Sequence, residues 1–350
     1  MSADVSLVLV AHRSSAVAPA AVSSFRREAG RLGVSSEVVI VDHSEDPAEA
    51  SCLRSLEAEK LLVLPNRGYA AGVNAGFAAS AGAVVLVGNP DVALQEDALA
   101  ALLGSIRAGW DIVGPQFVLA GLLFPPADLQ TPGEELLRWL ASRSQAVWGR
   151  QLRRELRRWR RIWEAREPVP VRTLSGALLA FRRETFDRVG PWDEGFFLYF
   201  EETDWLRRAA ARGLRIAQVP AARVVHVWGH AADPAAFGEH FLASRARFFA
   251  RHYGWRGRFA SRLRQGRSPL RIGSLPATPG DLPGERRWWL LSPTALGMPA
   301  AGFLGSADEF GEALRGVATA RGRAASYVVL AVEPGRRGLT GAWSWESGNG

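Results

Sequence analysis

Lysine is nearly absent. Lys60 is the only one in 350 residues, so the net charge of +8 rests on arginine. A Walker A phosphate loop needs GxxxxGK[ST]. Lys60 stands in Ala-Glu-Lys-Leu, which excludes that class of nucleotide site. Cysteine is as scarce. Cys52 alone excludes a disulfide framework and any CxxC metal site, and it suits a reducing compartment. HExxH and GxSxG are missing too, so neither a zincin nor a hydrolase elbow is present. No apolar run approaches the ~20 residues that span a bilayer. No charged and then apolar leader opens the chain. The expectation is a cytoplasmic protein, soluble or peripheral at the inner face of the cell membrane. The arginine bias has a bland source in a GC-rich genome, although arginine also suits bidentate phosphate recognition.

What is present is a core and an alternation. With 47% hydrophobic and 22% charged residues the chain is globular, and its length suggests two domains or one with an appendage. Strands are expected at Val5–Ala11, Glu37–Asp42, Leu61–Leu64 and Val84–Val87. Helices are expected over 16–31, 48–59, 70–80 and 95–106. Strands this apolar need both faces covered, which predicts an α/β fold of Rossmann-like type. Its mostly parallel sheet carries helices on both sides. Ligands on such sheets bind beyond the carboxyl ends of the strands. Asp42 and Asp91 stand at two of those ends, and Ala11 and Arg13 lie near the same crevice. No GxGxxG follows the first strand, which argues against a dehydrogenase. Glycines 68, 72 and 76 recur every fourth residue, for close helix-to-sheet packing, for approach to a nucleotide, or for both.

From about 132 to 166 the composition shifts. Trp148, Leu152, Leu156, Trp159 and Trp163 share one helical face, and Arg150, Arg153, Arg154, Arg157, Arg158 and Arg161 occupy others. The amphipathic basic helix is either docked on the protein or laid on an anionic membrane or lipid phosphate. Nucleic acid is the weakest alternative, because no recognised binding motif accompanies the helix. A second αβ stretch runs to about 254. An arginine-, glycine- and proline-rich linker follows over 256–284. The tail holds Arg-Trp-Trp-Leu-Leu, a helix at 307–319 and a strand at Tyr327–Val332, and reads as a small accessory unit.

Four blocks carry a resemblance. They are Val38-Val-Ile-Val-Asp-His-Ser-Glu-Asp46, Asn66-Arg-Gly-Tyr-Ala-Ala-Gly-Val-Asn-Ala-Gly76 with Val87-Gly-Asn-Pro-Asp-Val92, the stretch from Ser175 to Arg207, and Arg223-Val-Val-His-Val-Trp228. Together they resemble family 2 glycosyltransferases of the GT-A fold, in the rhamnosyltransferase-like and galactofuranosyltransferase-like subgroup. The resemblance covers residues 5 to about 254. It implies a GT-A domain over 1–260, with the basic helix as an insert, and a linker plus accessory region over 261–350.

The resemblance also implies roles. A nucleotide diphosphosugar leaves a diphosphate whose charge a hard divalent cation, Mn2+ or Mg2+, offsets. Asp91 would be its ligand, with His226 as the second. Asp42 would face the base or ribose. Ala11, Arg13, Asn66, Gly68, Asn74 and Asn89 would line the donor. Glu202 matches the catalytic base within Glu201-Glu202-Thr-Asp204, where the family usually has aspartate. Trp192, Asp193 and Glu194 would shape the site for a glycan or lipid-linked cell-envelope acceptor. The donor would be a UDP- or dTDP-sugar and the reaction inverting. The departures at 11–14, Asn89 and Glu202 support a rival reading, a catalytically degenerate GT-A domain acting as a glycan-binding or membrane-associated scaffold protein.

Overall fold

The computed structural model describes residues 3–227, 234–263, 269, 272–274, 286–321, 325–333 and 339–347. The alternation over the first 115 residues is there, as β1 (Val5–Ala11), α1 (Ala18–Leu32), β2 (Ser36–Asp42), α2 (Pro47–Arg54), β3 (Lys60–Val63), α3 (Tyr69–Ala79), β4 (Val84–Gly88), β5 (Val92–Leu94), α4 (Ala98–Arg107) and β6 (Ile112–Leu119). Helix α2 ends short of the expected residue 59, and Glu57 beyond it has a left-handed φ of 53°. Next come β7 (Leu122–Leu123), α5 (Pro132–Ala141), α6 (Gln145–Trp163), β8 (Val169–Pro170), β9 (Leu178–Arg182), α7 (Arg183–Val189), α8 (Glu201–Ala211), β10 (Ile216–His226) and α9 (Pro234–Ala260). The tail holds β11 (Gly273–Ser274), β12 (Arg287–Ser292), β13 (Ala301–Gly305), α10 (Ala307–Arg321), β14 (Ala325–Val332) and β15 (Leu339–Ser347). Most of the expected linker, and Trp228, lie outside the described residues. No described helix is long and apolar enough to cross a membrane.

The chain forms two compact units. The first comprises residues 1–116, 126–129 and 165–254, and the second 117–125, 130–164 and 255–350. In the first, β3, β2, β1 and β4 are parallel neighbours in that order, with β9 antiparallel beside β4 and β6 beyond it. Ala11 pairs with Asp42, Asp42 with Val63, and Leu9 with Gly88. The carboxyl ends of the parallel strands are therefore level, and their loops share one edge.

Helix α3 comes close to this sheet where Gly72 and Gly76 face it. A Cβ on Gly76 would stand 2.3 Å from Val8 Cγ1, and one on Gly72 2.5 Å from Val10 Cγ1. Close helix-to-sheet packing therefore accounts for both glycines. Gly76→Ala is expected to lower stability by about 1–2 kcal/mol. With a contact of 2.3 Å the overpacking penalty falls in the upper part of its usual range, about 2–3 kcal/mol, and exceeds the ~1 kcal/mol gain in helix propensity. An unchanged urea midpoint would contradict the packing account.

In the second unit β12 is the central strand, between β13 and β14. Alternate residues of a strand face opposite ways. Trp288 stacks on Trp163 of α6 at 5.0 Å, and Trp289 on Phe310 of α10 at 4.9 Å, so the sheet is covered on both sides. The tryptophan face of α6 is thus docked. Trp148 is 3% and Trp159 1% exposed. The Trp148 indole donates to the Leu296 carbonyl at 2.8 Å, and that of Trp163 to Phe124 at 2.9 Å. Gly302 admits the Trp163 ring where a Cβ would come within 2.3 Å. These tryptophans are core residues and do not face a bilayer, because the C-terminal strands supply the apolar partner their periodicity demanded.

Candidate functional site

The strand ends of the first unit bring Ala11, Asp42 and Gly88, the residue before Asn89, to one edge. Asp42 is fully buried; its Oδ1 accepts the Ser44 N–H at 2.8 Å, and its Oδ2 has no partner. A buried unpaired carboxylate oxygen is costly, so this is an acceptor suited to an N–H or hydroxyl of a ligand. Ala11 is buried and its carbonyl already accepts the His43 N–H at 2.8 Å. Arg13 is exposed on a left-handed backbone, φ 49°, which the Ser44 hydroxyl holds by accepting its N–H at 2.7 Å.

The glycine-rich block serves the protein's own loops. Asn66 Oδ1 accepts the Gly68 N–H at 3.0 Å. Gly68 has φ 95°, and a Cβ there would stand 2.4 Å from the Phe197 carbonyl, so its close approach is to that loop. Asn74, expected on the donor, instead holds the loop before α8. Its amide donates to Trp192 O at 3.0 Å and Glu194 Oε1 at 3.1 Å, and accepts from Trp192 N at 2.9 Å.

The three residues expected on the acceptor are correspondingly engaged. Trp192 is core, 1% exposed and stacked on Trp205 at 5.7 Å; its indole N–H alone has no partner. Asp193 takes Arg247 at 3.1 Å, the Gly195 N–H at 2.8 Å, and Arg251. Burial pushes its pKa up, but these hydrogen bonds and charges outweigh it and hold the carboxyl below its usual range. Glu194 pairs with Arg67 at 2.9 Å.

Strand register makes the next pair. β5 and β10 are antiparallel with Val92 opposite His226, so the residue before β5 meets the end of β10. Asp91 Oδ1 lies 3.4 Å from His226 Nε2, and the Asp91 carbonyl accepts the Val227 N–H at 3.2 Å. Asn89 is tied by its backbone N–H to Ala177 O at 3.0 Å. Two ligands at ~2.0–2.2 Å from one ion stand roughly 3 Å or a little more apart. The pair and its carboxylate oxygen without a hydrogen-bond partner therefore fit a divalent cation. Among the described residues no cluster of three or more such side chains gathers. The fit is to an ion sharing its remaining positions with phosphate and water, as Mg2+ and Mn2+ do in phosphate sites.

Helix α8 supplies the acids. Tyr199 and Phe200 before it both have φ 70°. Bulky side chains rarely take that conformation, and each such residue stores of the order of 1–3 kcal/mol at sites that need a fixed geometry. Glu201 is buried with Oε2 unpartnered. Burial, then the charge of Glu202, push its pKa well above the usual value. Glu202 is less buried, and its pKa is raised by burial against the hydrogen bonds of the helix start. Its side chain lies against Gly176, whose carbonyl accepts the Tyr69 hydroxyl at 2.9 Å. Burial, then the charges of Glu201, Glu202 and Asp91, push the Tyr69 pKa well up. Tyr69 carries no expected role in the sequence, and its place at the first residue of α3 is the only signal that points to it.

Asp204 is a different acid from its neighbours. It is fully buried and takes Arg208 at 2.9 Å, His252 at 2.8 Å and Arg251 at 3.3 Å. Burial raises its pKa, but the hydrogen bonds from His252 and Arg208 and the nearby charges outweigh it and leave it lowered. Its carboxylate is committed to ion pairs that fasten α8 to α9.

Several known proteins are similar to this chain. Over 89 residues it is 37% identical to the N-acetylglucosaminyl-diphospho-decaprenol L-rhamnosyltransferase of Mycobacterium tuberculosis, strains CDC 1551 / Oshkosh and H37Rv alike. That match covers 25% of this chain and 29% of the relative, so the chain spans less than a third of the curated relatives it matches. Among solved structures, GalNAc-T7 with UDP, GalNAc and Mn2+ aligns at TM-score 0.46 and 17% identity, over 64% of this chain and 44% of that one. The mannosyltransferase PcManGT of Pyrobaculum calidifontis with GDP-Man and Mn2+ aligns at TM-score 0.46 and 14% identity, over 75% and 73%. The sequence profile of glycosyl transferase family 2 matches residues 6–190, just over half of the chain. With that match and the strand-end site of its first unit, this chain belongs to glycosyl transferase family 2.

Proposed function

We propose that the chain is an inverting, metal-dependent glycosyltransferase that moves a sugar from a UDP- or dTDP-sugar to a glycan or lipid-linked cell-envelope acceptor. The observation that carries this reading is the pair of Asp91 and His226, 3.4 Å apart where β5 meets β10, with an Asp91 oxygen left without a hydrogen-bond partner. A partial relative whose name specifies a lipid-linked acceptor supports the acceptor class. The alternative, a degenerate binding domain, predicts donor binding with neither transfer nor hydrolysis.

Asp42 offers its free oxygen to the base or ribose at the end of β2. Glu202 accepts the proton of the acceptor hydroxyl as that oxygen attacks the anomeric carbon in line. The new glycosidic bond forms as the bond to the diphosphate oxygen breaks, and the nucleoside diphosphate leaves. Asp91 and His226 would hold the divalent cation, which supplies positive charge to offset that of the leaving diphosphate. Tyr69 and Gly176 keep the start of α3 against the loop that backs Glu202.

Transfer and donor hydrolysis, measured with UDP- and dTDP-sugars with Mn2+ or with chelator, test the reading. Binding at a hundred times Kd stabilises by ~2.7 kcal/mol, which a thermal shift resolves. Asp91→Ala is expected to abolish the Mn2+-dependent part of the nucleotide-induced shift while its own unfolding without ligand stays cooperative. A variant that keeps full metal dependence would remove Asp91 from the cation site.

A further inference from the structure

Helix α6, for which docking and a membrane contact were both open, hides its tryptophans, but another segment of the second unit exposes its aromatic residues. Trp255 is 71% and Phe259 63% exposed, the two most exposed large apolar side chains among the described residues. Gly254 breaks α9 with φ 56° and ψ −131°, a conformation that favours glycine. The last turns thus begin afresh at Trp255. Ser261 N–H donates to Gly257 O, Arg262 to Phe259 and Leu263 to Ala260, so the turns continue to Leu263. Gly257 and Ala260 are buried and form the inner side. Trp255, Phe259 and Arg262 follow at helical spacing on the outer side, with Arg256 and Arg258 exposed around them. The Arg256 guanidinium lies 5.5 Å from the Trp255 ring.

An exposed aromatic pair ringed by arginines is unusual on a soluble surface, and its chemistry selects a partner. The rings suit the boundary between acyl chains and headgroups, and the arginines suit phosphates there. Between Glu239 and Asp281 the sequence holds nine arginines and no acidic residue, so nothing in this stretch repels an anionic surface. The outer face of α6, by contrast, has Arg150, Arg153, Arg157 and Arg161 exposed but no exposed large apolar side chain. It lacks the apolar half of such a contact.

We propose that Trp255–Leu263 is an interfacial anchor that seats the protein on an anionic phospholipid bilayer. The contact is with the bilayer surface and needs neither donor nor turnover, so it stands or falls apart from the transfer reaction.

The test is co-sedimentation of the full chain with vesicles of phosphatidylglycerol and phosphatidylcholine, and of phosphatidylcholine alone. Wild type should bind the anionic vesicles, and binding should weaken as salt screens the arginines. Trp255→Glu with Phe259→Glu should weaken binding at least roughly tenfold, since two rings leave the interface and two like charges enter. Each of Arg256→Gln, Arg258→Gln and Arg262→Gln should weaken it roughly fivefold. Both rings are exposed, so thermal unfolding should not change; if it does, Trp255→Ser with Phe259→Ser repeats the measurement. The proposal is overturned if wild type fails to bind anionic vesicles. It is equally overturned if the double glutamate variant binds like wild type while glutamines at Arg150, Arg153, Arg157 and Arg161 abolish binding. Conversion of a dimer to a monomer by the double variant, without vesicle binding, would assign the patch to a second copy instead.

Discussion

Glu202→Gln is expected to lower kcat by roughly 10²–10⁴-fold, about 3–5 kcal/mol in the barrier, while donor affinity stays near that of wild type. A neutral sugar hydroxyl is a poor nucleophile, and the amide keeps the shape of the carboxylate but accepts no proton. The structure gives two reasons to prefer Glu202 to its neighbours. Glu201 is the more buried, so Glu202 is the carboxylate that an acceptor hydroxyl can reach more readily. Asp204 is tied up in ion pairs. Burial also raises Glu202, so the acid limb of the kcat–pH profile should lie above the pKa of an ordinary glutamate and vanish in the variant. If Glu201→Gln loses turnover and Glu202→Gln keeps it, the proton goes to the other carboxylate.

Asp204→Asn is expected to destabilise the fold by about 3–5 kcal/mol, as removal of one partner from a buried ion pair does. Arg208 and His252 would be left in the protein with reduced compensation. The dependence on pH has a definite sign. The folded pKa lies below the free value, so the contribution is complete above the free carboxyl's pKa of about 4 and is lost as the pH falls through the lowered value. Asp193 adds a contribution of the same sign. Glu201 and Glu202 act oppositely: their raised values favour the fold below the free pKa, and that contribution is lost as the pH rises through the folded values. Thermal unfolding from neutral to acid pH should show wild type losing stability more steeply than Asp204→Asn. Parallel curves, or a variant as stable as wild type at neutral pH, would contradict this role.

Much of the first unit was legible because short-range pattern sufficed. Apolar runs such as Val5–Ala11 and Val84–Val87 are buried strands by composition, and an aspartate after a strand end falls at a predictable edge. Partners far away in sequence were not legible. Asn74 is in a block that resembles a donor site, yet its amide closes on Trp192, 118 residues on. Read from sequence, Asp204 looks like a helix-start acid worth a few tenths of a kcal/mol to ~1 kcal/mol; its real partners arrive from α9, 48 residues later. For α6, periodicity revealed an apolar face and said nothing of what covers it. The register that joins Asp91 to His226 is a property of two strands 130 residues apart, and only the family resemblance pointed to it.

The second unit is assembled from chain that is not contiguous, residues 117–125 and 130–164 with 255–350. This has a consequence for synthesis. When the ribosome has delivered α6, the β12 and β14 strands that cover Trp148, Trp159 and Trp163 do not yet exist. For more than a hundred residues of elongation, at ~5–20 residues per second, a nascent chain carries an uncovered tryptophan face beside a segment whose own α/β alternation is already complete. Such a face is sticky in the interval, and closing so long a loop is slow. Chaperone dependence and inclusion-body formation should therefore track the C-terminal strands. A chain ended before Arg287 should aggregate through α6 even though every residue of the Asp91–Glu202 site is present.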